Sequence, residues 1–132
     1  MKVSTKGRYA LRLMIDIAQQ GGDRLVSLRD MALRQGISAK YAEQIVGQLS
    51  RAGFLKSTRG AQGGYQLARA PEEYTIGSIL RLTEGNLAPV ACLENAENAC
   101  GRRDCCATLR FWQGLYRTVN EYTDQYTLAD LI

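Results

Sequence analysis

Apolar residues first recur at helical spacing between residues 3 and 20. Ala10, Leu13, Met14, Ile17 and Ala18 share one stripe, and Leu11 and Ile15 broaden it. A surface that wide must be covered from more than one side, and Gly21-Gly22 ends the helix. Ser27 is a side-chain cap for a short second helix over 28–35, with Leu28, Met31 and Ala32 turned inward. Gly36 breaks the chain, Ile37 packs the corner, and Ser38 caps a third helix over 39–52. Its inner face is Ala42, Ile45, Val46 and Leu49, and Gly53 ends it. Two strand candidates follow, Phe54 to Thr58 and Gly64 to Leu67, joined by the Gly-rich hairpin Arg59-Gly60-Ala61-Gln62-Gly63.

Pro71 opens a turn, and Thr75 caps a helix from Ile76 to Leu82 that Gly85 closes. Residues 86–106 lack periodicity, and a loop of that length is unusual in a compact domain unless something else holds it. A helix returns over 107–125, where Leu109, Trp112, Tyr116 and Val119 keep a three-or-four spacing, and Thr127 caps a terminal turn over 128–132. That stripe is too large to leave exposed on so small a chain, which predicts a homodimer built mainly on 107–126. The fold class is therefore mainly α with a small β wing: a winged helix-turn-helix plus a long C-terminal dimerisation helix. The division is 1–85 for the winged helix-turn-helix, 86–106 for a cysteine-containing loop and 107–132 for the dimerisation helix and C-terminal turn.

Composition adds limits. At 132 residues and 45% hydrophobic, the chain buries a core and is long enough for one domain with an appended element. No apolar run reaches membrane-spanning length. Lys2, Lys6, Arg8 and Arg12 before an apolar run resemble a secretion leader. Asp16 interrupts that run and no small-residue cleavage site follows, so the segment reads as a mature helix of a cytoplasmic protein. The net charge of +4 hides an asymmetry: residues 1–69 carry +8 and residues 70–132 carry −4. A polyanion-binding face at one end fits this, as does an ordinary solvated surface. The chain has no histidine, which removes the commonest general base and leaves a cysteine nucleophile without its usual activator, so an enzyme is not expected.

The third helix presents Ser38, Ala39, Lys40, Tyr41, Glu43 and Gln44 outward at its N-terminal end, where a recognition helix meets base edges in double-stranded DNA. Gln44 can pair with adenine, Glu43 can accept from cytosine, and Lys40 and Tyr41 can reach phosphates or bases. A polar helix face without function looks the same. The hairpin shifts the balance: Arg59 sits beside Gly60, so the backbone can approach DNA and the guanidinium can enter a minor groove. Arg51, Lys56 and Arg69 flank it at positions suited to phosphates. No nucleotide-binding glycine motif is present.

All four cysteines, Cys92, Cys100, Cys105 and Cys106, fall within 15 residues. In a reducing compartment such clustering points to metal, iron–sulfur or redox chemistry. Several segments now resemble one family: Met1 to Arg12, Ser38 to Leu49, the wing Arg59-Gly60-Ala61-Gln62-Gly63-Gly64-Tyr65, and Thr75-Ile76-Gly77 leading to Glu84-Gly85. It is the winged-helix repressor family that includes the iron–sulfur regulator IscR, the nitric oxide sensor NsrR and the cysteine-metabolism repressor CymR, and the likeness covers essentially the whole chain. The resemblance implies a homodimer reading a palindromic operator. It also implies an iron–sulfur cluster of the 2Fe-2S type held by Cys92, Cys100 and Cys106. Seven residues separate the first two, more than the family pattern, whereas the five before Cys106 fit. The position of the family's fourth ligand is Leu109 in one branch and Arg8 in the other, so neither solution is present. Cys105, Glu94, Glu97 and Asp104 remain candidates. A cluster-free thiol switch tuned by Arg102 and Arg103, a CymR-type repressor working through a partner enzyme, and a zinc site are the alternatives.

Overall fold

A computed structural model gives the arrangement of residues 2–132; Met1, the first residue of the opening segment noted above, lies outside the described residues. The elements are α1 (Thr5–Gly21), α2 (Leu28–Gln35), α3 (Ala39–Arg51), β1 (Leu55–Thr58), β2 (Gly64–Leu67), α4 (Ile76–Glu84) and α5 (Leu109–Gln125), with short 3-10 turns at Pro71–Glu73, Ala91–Leu93 and Leu128–Leu131. Side chains cap the helices as their sequences require. Ser4, Ser27, Ser38 and Thr75 each accept the N–H of the residue three positions on, at 3.0–3.1 Å. Because Ser4 is the cap, α1 starts at Thr5, not at residue 3. α5 likewise starts two residues later than its apolar pattern predicts, after Thr108.

β1 and β2 pair antiparallel from Leu55 opposite Leu67 to Thr58 opposite Gly64. A third partner was not legible in sequence. Val26 and Tyr65 exchange two backbone hydrogen bonds of 2.8 Å, tying the wing to the turn before α2. A single residue pair leaves no alternation to read, but Gly64 marks it: a side chain there would collide with the Val26 carbonyl.

The core takes Ala10, Leu13, Met14 and Ile17 of α1 against the inner face of α3, Ala42, Ile45, Val46 and Leu49. Tyr74 is fully buried with its hydroxyl satisfied: it donates to the Phe54 carbonyl at 2.8 Å and accepts from the Arg69 N–H at 2.9 Å. Leu128 also lies in this core, and its N–H donates to the Tyr74 carbonyl at 2.9 Å, so the terminal turn packs on the winged-helix body.

α5 is attached more lightly. None of its residues is buried. Tyr116 and Val119 rest on Ile76, Leu80 and Leu87 within the chain, while Phe111 and Tyr122 on the other side are 65% and 59% exposed. Of the periodic set Leu109, Trp112, Tyr116 and Val119, the last two pack on α4, and the more open side of the helix carries Phe111, Gly114, Leu115, Thr118 and Tyr122. No described helix is long and apolar enough to cross a membrane.

Asp16 is 3% exposed, yet it sits in the middle of the apolar α1 surface. Arg34 of α2 donates to both its oxygens at 2.9 and 2.8 Å, and the Gln35 amide donates at 3.2 Å. What interrupts the apolar run is therefore the anchor that holds α2 against α1. Asp16→Ala leaves three donors without their acceptor, two on the partly exposed Arg34 guanidinium and one on the Gln35 amide, and we expect a loss of about 1–3 kcal/mol in urea denaturation. An unchanged midpoint would show that the anchor contributes nothing.

Candidate nucleic-acid interface and cysteine loop

α3 offers its first turns to solvent because its opposite face is committed to the core. Lys40, Glu43 and Gln44 are exposed, and their side chains make no hydrogen bond or ion pair among the described residues. Ser38 is exposed as well, but its hydroxyl is engaged as the helix cap. Tyr41 is half-buried and meets the ring of Tyr9 edge-on, with centroids 5.9 Å apart. Tyr9 in turn lies under the Arg12 guanidinium at 4.6 Å. Tyr41 thus packs with one edge and keeps the rest at the surface.

Arg59 and Gly60 occupy the tip of the hairpin, both exposed, and Gly60 has φ +114°, a conformation that residues with a side chain rarely adopt. Between α3 and the wing lies an open groove of about 760 Å³ with Glu43, Gly47 and Arg51 on its helix wall and Thr58, Arg59 and Gly60 on its wing wall. Ser27 and Ser57 also reach it. Neither was singled out from the sequence for this role, since a hydroxyl on a cap or strand has no signature that separates a surface lining from a contact.

Charge in this region is left uncompensated. Two ion pairs form among the described residues, Arg34–Asp16 and Arg81–Asp124, so Lys40, Arg51, Lys56, Arg59 and Arg69 have no acidic partner. Arg69 is held over Phe54 and Tyr74, 5.5 and 4.8 Å from the ring centroids, which fixes its position without neutralising it. A helix end with free polar groups, a cationic hairpin tip and unpaired cations along the groove make a surface suited to a polyanion with readable edges.

The cysteines lie apart from this face, in the segment between α4 and α5. Cys92 sits on the 3-10 turn Ala91–Leu93 and is half-buried, Cys100 and Cys105 are exposed, and Cys106 is half-buried. All four are free thiols. Cys106 stands just before α5, with Sγ 3.3 Å from the Thr108 hydroxyl. That hydrogen bond, then the backbone N–H groups of Thr108 and Leu109, and finally the charge of Arg102 hold the Cys106 thiol below its usual range, against a smaller opposing effect of burial. Among the described residues no three acidic or cysteine side chains are grouped as a metal site. Glu94, Glu97 and Asp104 are exposed in the same segment, Leu109 opens α5 without a donor, and Arg8 is exposed on α1.

Comparison with known proteins gives a consistent likeness. The model of the Rrf2 family, described as iron-dependent transcriptional regulators, matches residues 3–132. The transcriptional regulator CymR of Bacillus subtilis is 42% identical over 131 residues, 99% of this chain and 89% of its own length. The solved structure of that CymR, titled the global cysteine regulator, superposes with TM-score 0.80 at 41% identity over 99% of this chain and 95% of its own. The structure of T. potens IscR superposes with TM-score 0.78 at 40% identity, covering 99% of this chain and 85% of that one.

Proposed function

The chain belongs to the Rrf2 family of transcriptional regulators, and from that premise we propose that it is a cytoplasmic repressor that binds a palindromic operator as a homodimer and senses iron–sulfur status through its cysteine loop. It is a DNA-binding regulator of the family's winged-helix type, not an enzyme. In this reading residues 1–85 bind DNA, 86–106 sense and 107–132 carry the dimer helix. The observation that supports it best is the pairing of α3 with the wing across one groove, with Arg51 on the helix wall and Arg59 on the wing wall both lacking an acidic partner among the described residues, and Lys40 and Gln44 exposed on the same helix.

Gln44 and Glu43 read base edges in the major groove, Lys40 and Tyr41 hold phosphates, Ser38 fixes the helix end, and Arg59 with Gly60 enters the flanking minor groove. The Arg59→Ala variant should bind its operator about 1–3 kcal/mol more weakly, whereas Gln44→Ala should chiefly relax base preference. Affinity should fall steeply with added salt, because each phosphate contact releases counterions. Binding that ignores salt, measured by fluorescence anisotropy, would refute the assignment of this face.

For the sensor, the donors present fit a 2Fe-2S cluster in kind. Cys92, Cys100 and Cys106 are soft sulfur ligands on one exposed segment, and Cys106 is already biased toward the thiolate that iron requires. When bound, the cluster supplies a labile redox centre whose state is the signal. These three residues would hold it, with the fourth position open to Cys105 or a nearby carboxylate. Two observations favour a second reading, a cluster-free thiol switch or a CymR-type repressor: the likeness to CymR, and Leu109 and Arg8 standing where the family's remaining ligand is expected. Protein purified without oxygen should show visible charge-transfer absorbance with stoichiometric iron and sulfide, lost on substituting any of Cys92, Cys100 or Cys106 with Ala. Wild-type protein that takes up no iron after anaerobic reconstitution would leave the thiol switch in its place.

A further inference from the structure

We infer that Arg81 is a positioning residue for operator spacing: by clamping α5 on α4 it sets how far apart the two DNA-reading heads stand, an inference that rests on the homodimer reading above. Arg81 sits on the exposed side of α4 and reaches two side chains one helical turn apart on α5. Its guanidinium donates to Asn120 Oδ1 at 3.0 Å and to Asp124 Oδ1 at 2.6 Å. Asp124 Oδ1 also accepts from Thr75, the cap of α4, at 3.1 Å, so the same carboxylate ties both ends of the joint. Gly77 lets the helices approach here, since a side chain in its place would collide with Asp124 and Thr123.

The Ile76 N–H donates to the Tyr126 carbonyl at 2.9 Å and Thr75 bridges Thr127, which pins the chain just past the end of α5 as a pivot, and the contacts farther along the helix define its angle less. Tyr116 and Val119 rest on Ile76, Leu80 and Leu87 through apolar surfaces, which are non-directional and tolerate sliding. A planar fork on two acceptors four residues apart does not, because tilt or rotation of α5 breaks one bond before the other. The Arg81–Asp124 pair is also 33% and 40% exposed, so it adds little to the stability of the fold and its consequence is orientational.

The joint lies at the C-terminal end of α5, and the helix continues away from it. The eleven residues from Asn120 back to Leu109 span about 16 Å, so a tilt of about 10° moves the far end by about 3 Å. That is close to the rise of one base pair, about 3.4 Å, and a two-fold dimer applies it twice. A loosened joint should therefore blur the distance between half-sites while leaving each head's reading intact.

The test uses the full chain and duplexes carrying the site that wild-type protein selects from a randomised pool, with its centre unchanged, lengthened or shortened by one base pair. Wild-type protein should lose about tenfold in affinity on either change, whereas Arg81→Met and Asp124→Asn should discriminate the three duplexes by less than about threefold. Arg81→Lys, which keeps the charge but not the fork and preserves folding most closely, should fall between them. Sedimentation equilibrium run alongside separates the two levels of inference. Variants that are dimers with the wild-type spacing profile overturn the role of Arg81 alone, and a wild-type monomer overturns the homodimer reading and this inference together.

Discussion

α5 cannot bury both of its faces inside one chain of this size. α4 covers Tyr116 and Val119, whereas Phe111 and Tyr122, each beside one neighbouring aromatic, stay 65% and 59% exposed. Bringing Phe111 and Tyr122 out of water is worth about 1.5–3 kcal/mol for each large apolar side chain fully buried, so a second copy gains from covering this face. The rest of the functional arrangement depends on that constraint. In the proposed homodimer this face would meet a second copy, and two-headed binding would follow. The cysteine segment, which runs directly into α5, would then lie between the proposed pairing surface and the winged-helix body.

The body itself is held by a small number of directional contacts set into a well-packed apolar core. Asp16 with Arg34 and Gln35 fixes α2 on α1, and Tyr74 ties Phe54 and Arg69 at the base of the wing. The bridge between Val26 and Tyr65 anchors the hairpin. Recognition helix and wing thus hang on one rigid frame, so Lys40, Gln44 and Arg59 can remain unpaired on the surface without loosening it. Free cations and free amides facing solvent are a poor way to stabilise a monomer and a good way to meet a phosphate backbone and base edges.

Much of this was legible in the residues. The period of Leu13, Met14 and Ile17, the caps Ser27 and Ser38, and the glycines around Arg59 announce α1 to α3 and the wing because each rests on local chemistry. What was not legible depends on distant partners. Asp16 looks like a break in an apolar run until Arg34 arrives from another helix. Leu128 looks like part of a terminal appendage until Tyr74 receives its N–H. The α5 stripe was read from its strongest period, whereas its division between α4 and solvent is set by packing that no period encodes. For the site, Lys40, Glu43, Gln44, Arg59 and Gly60 emerge on the faces their spacing implies. The cysteines share a segment, but among the described residues they are not grouped as a metal site.

The most direct measurement is the association state of the chain with and without the free aromatic of α5. Sedimentation equilibrium at micromolar concentration should give a dimer for wild-type protein and a monomer for Phe111→Asp, with far-ultraviolet circular dichroism unchanged between them. Phe111 meets its neighbour Trp112 edge-on and is 65% exposed, so the substitution spares the core. A monomeric wild type, or a Phe111→Asp protein that remains a dimer, would contradict the placement of the interface on this face.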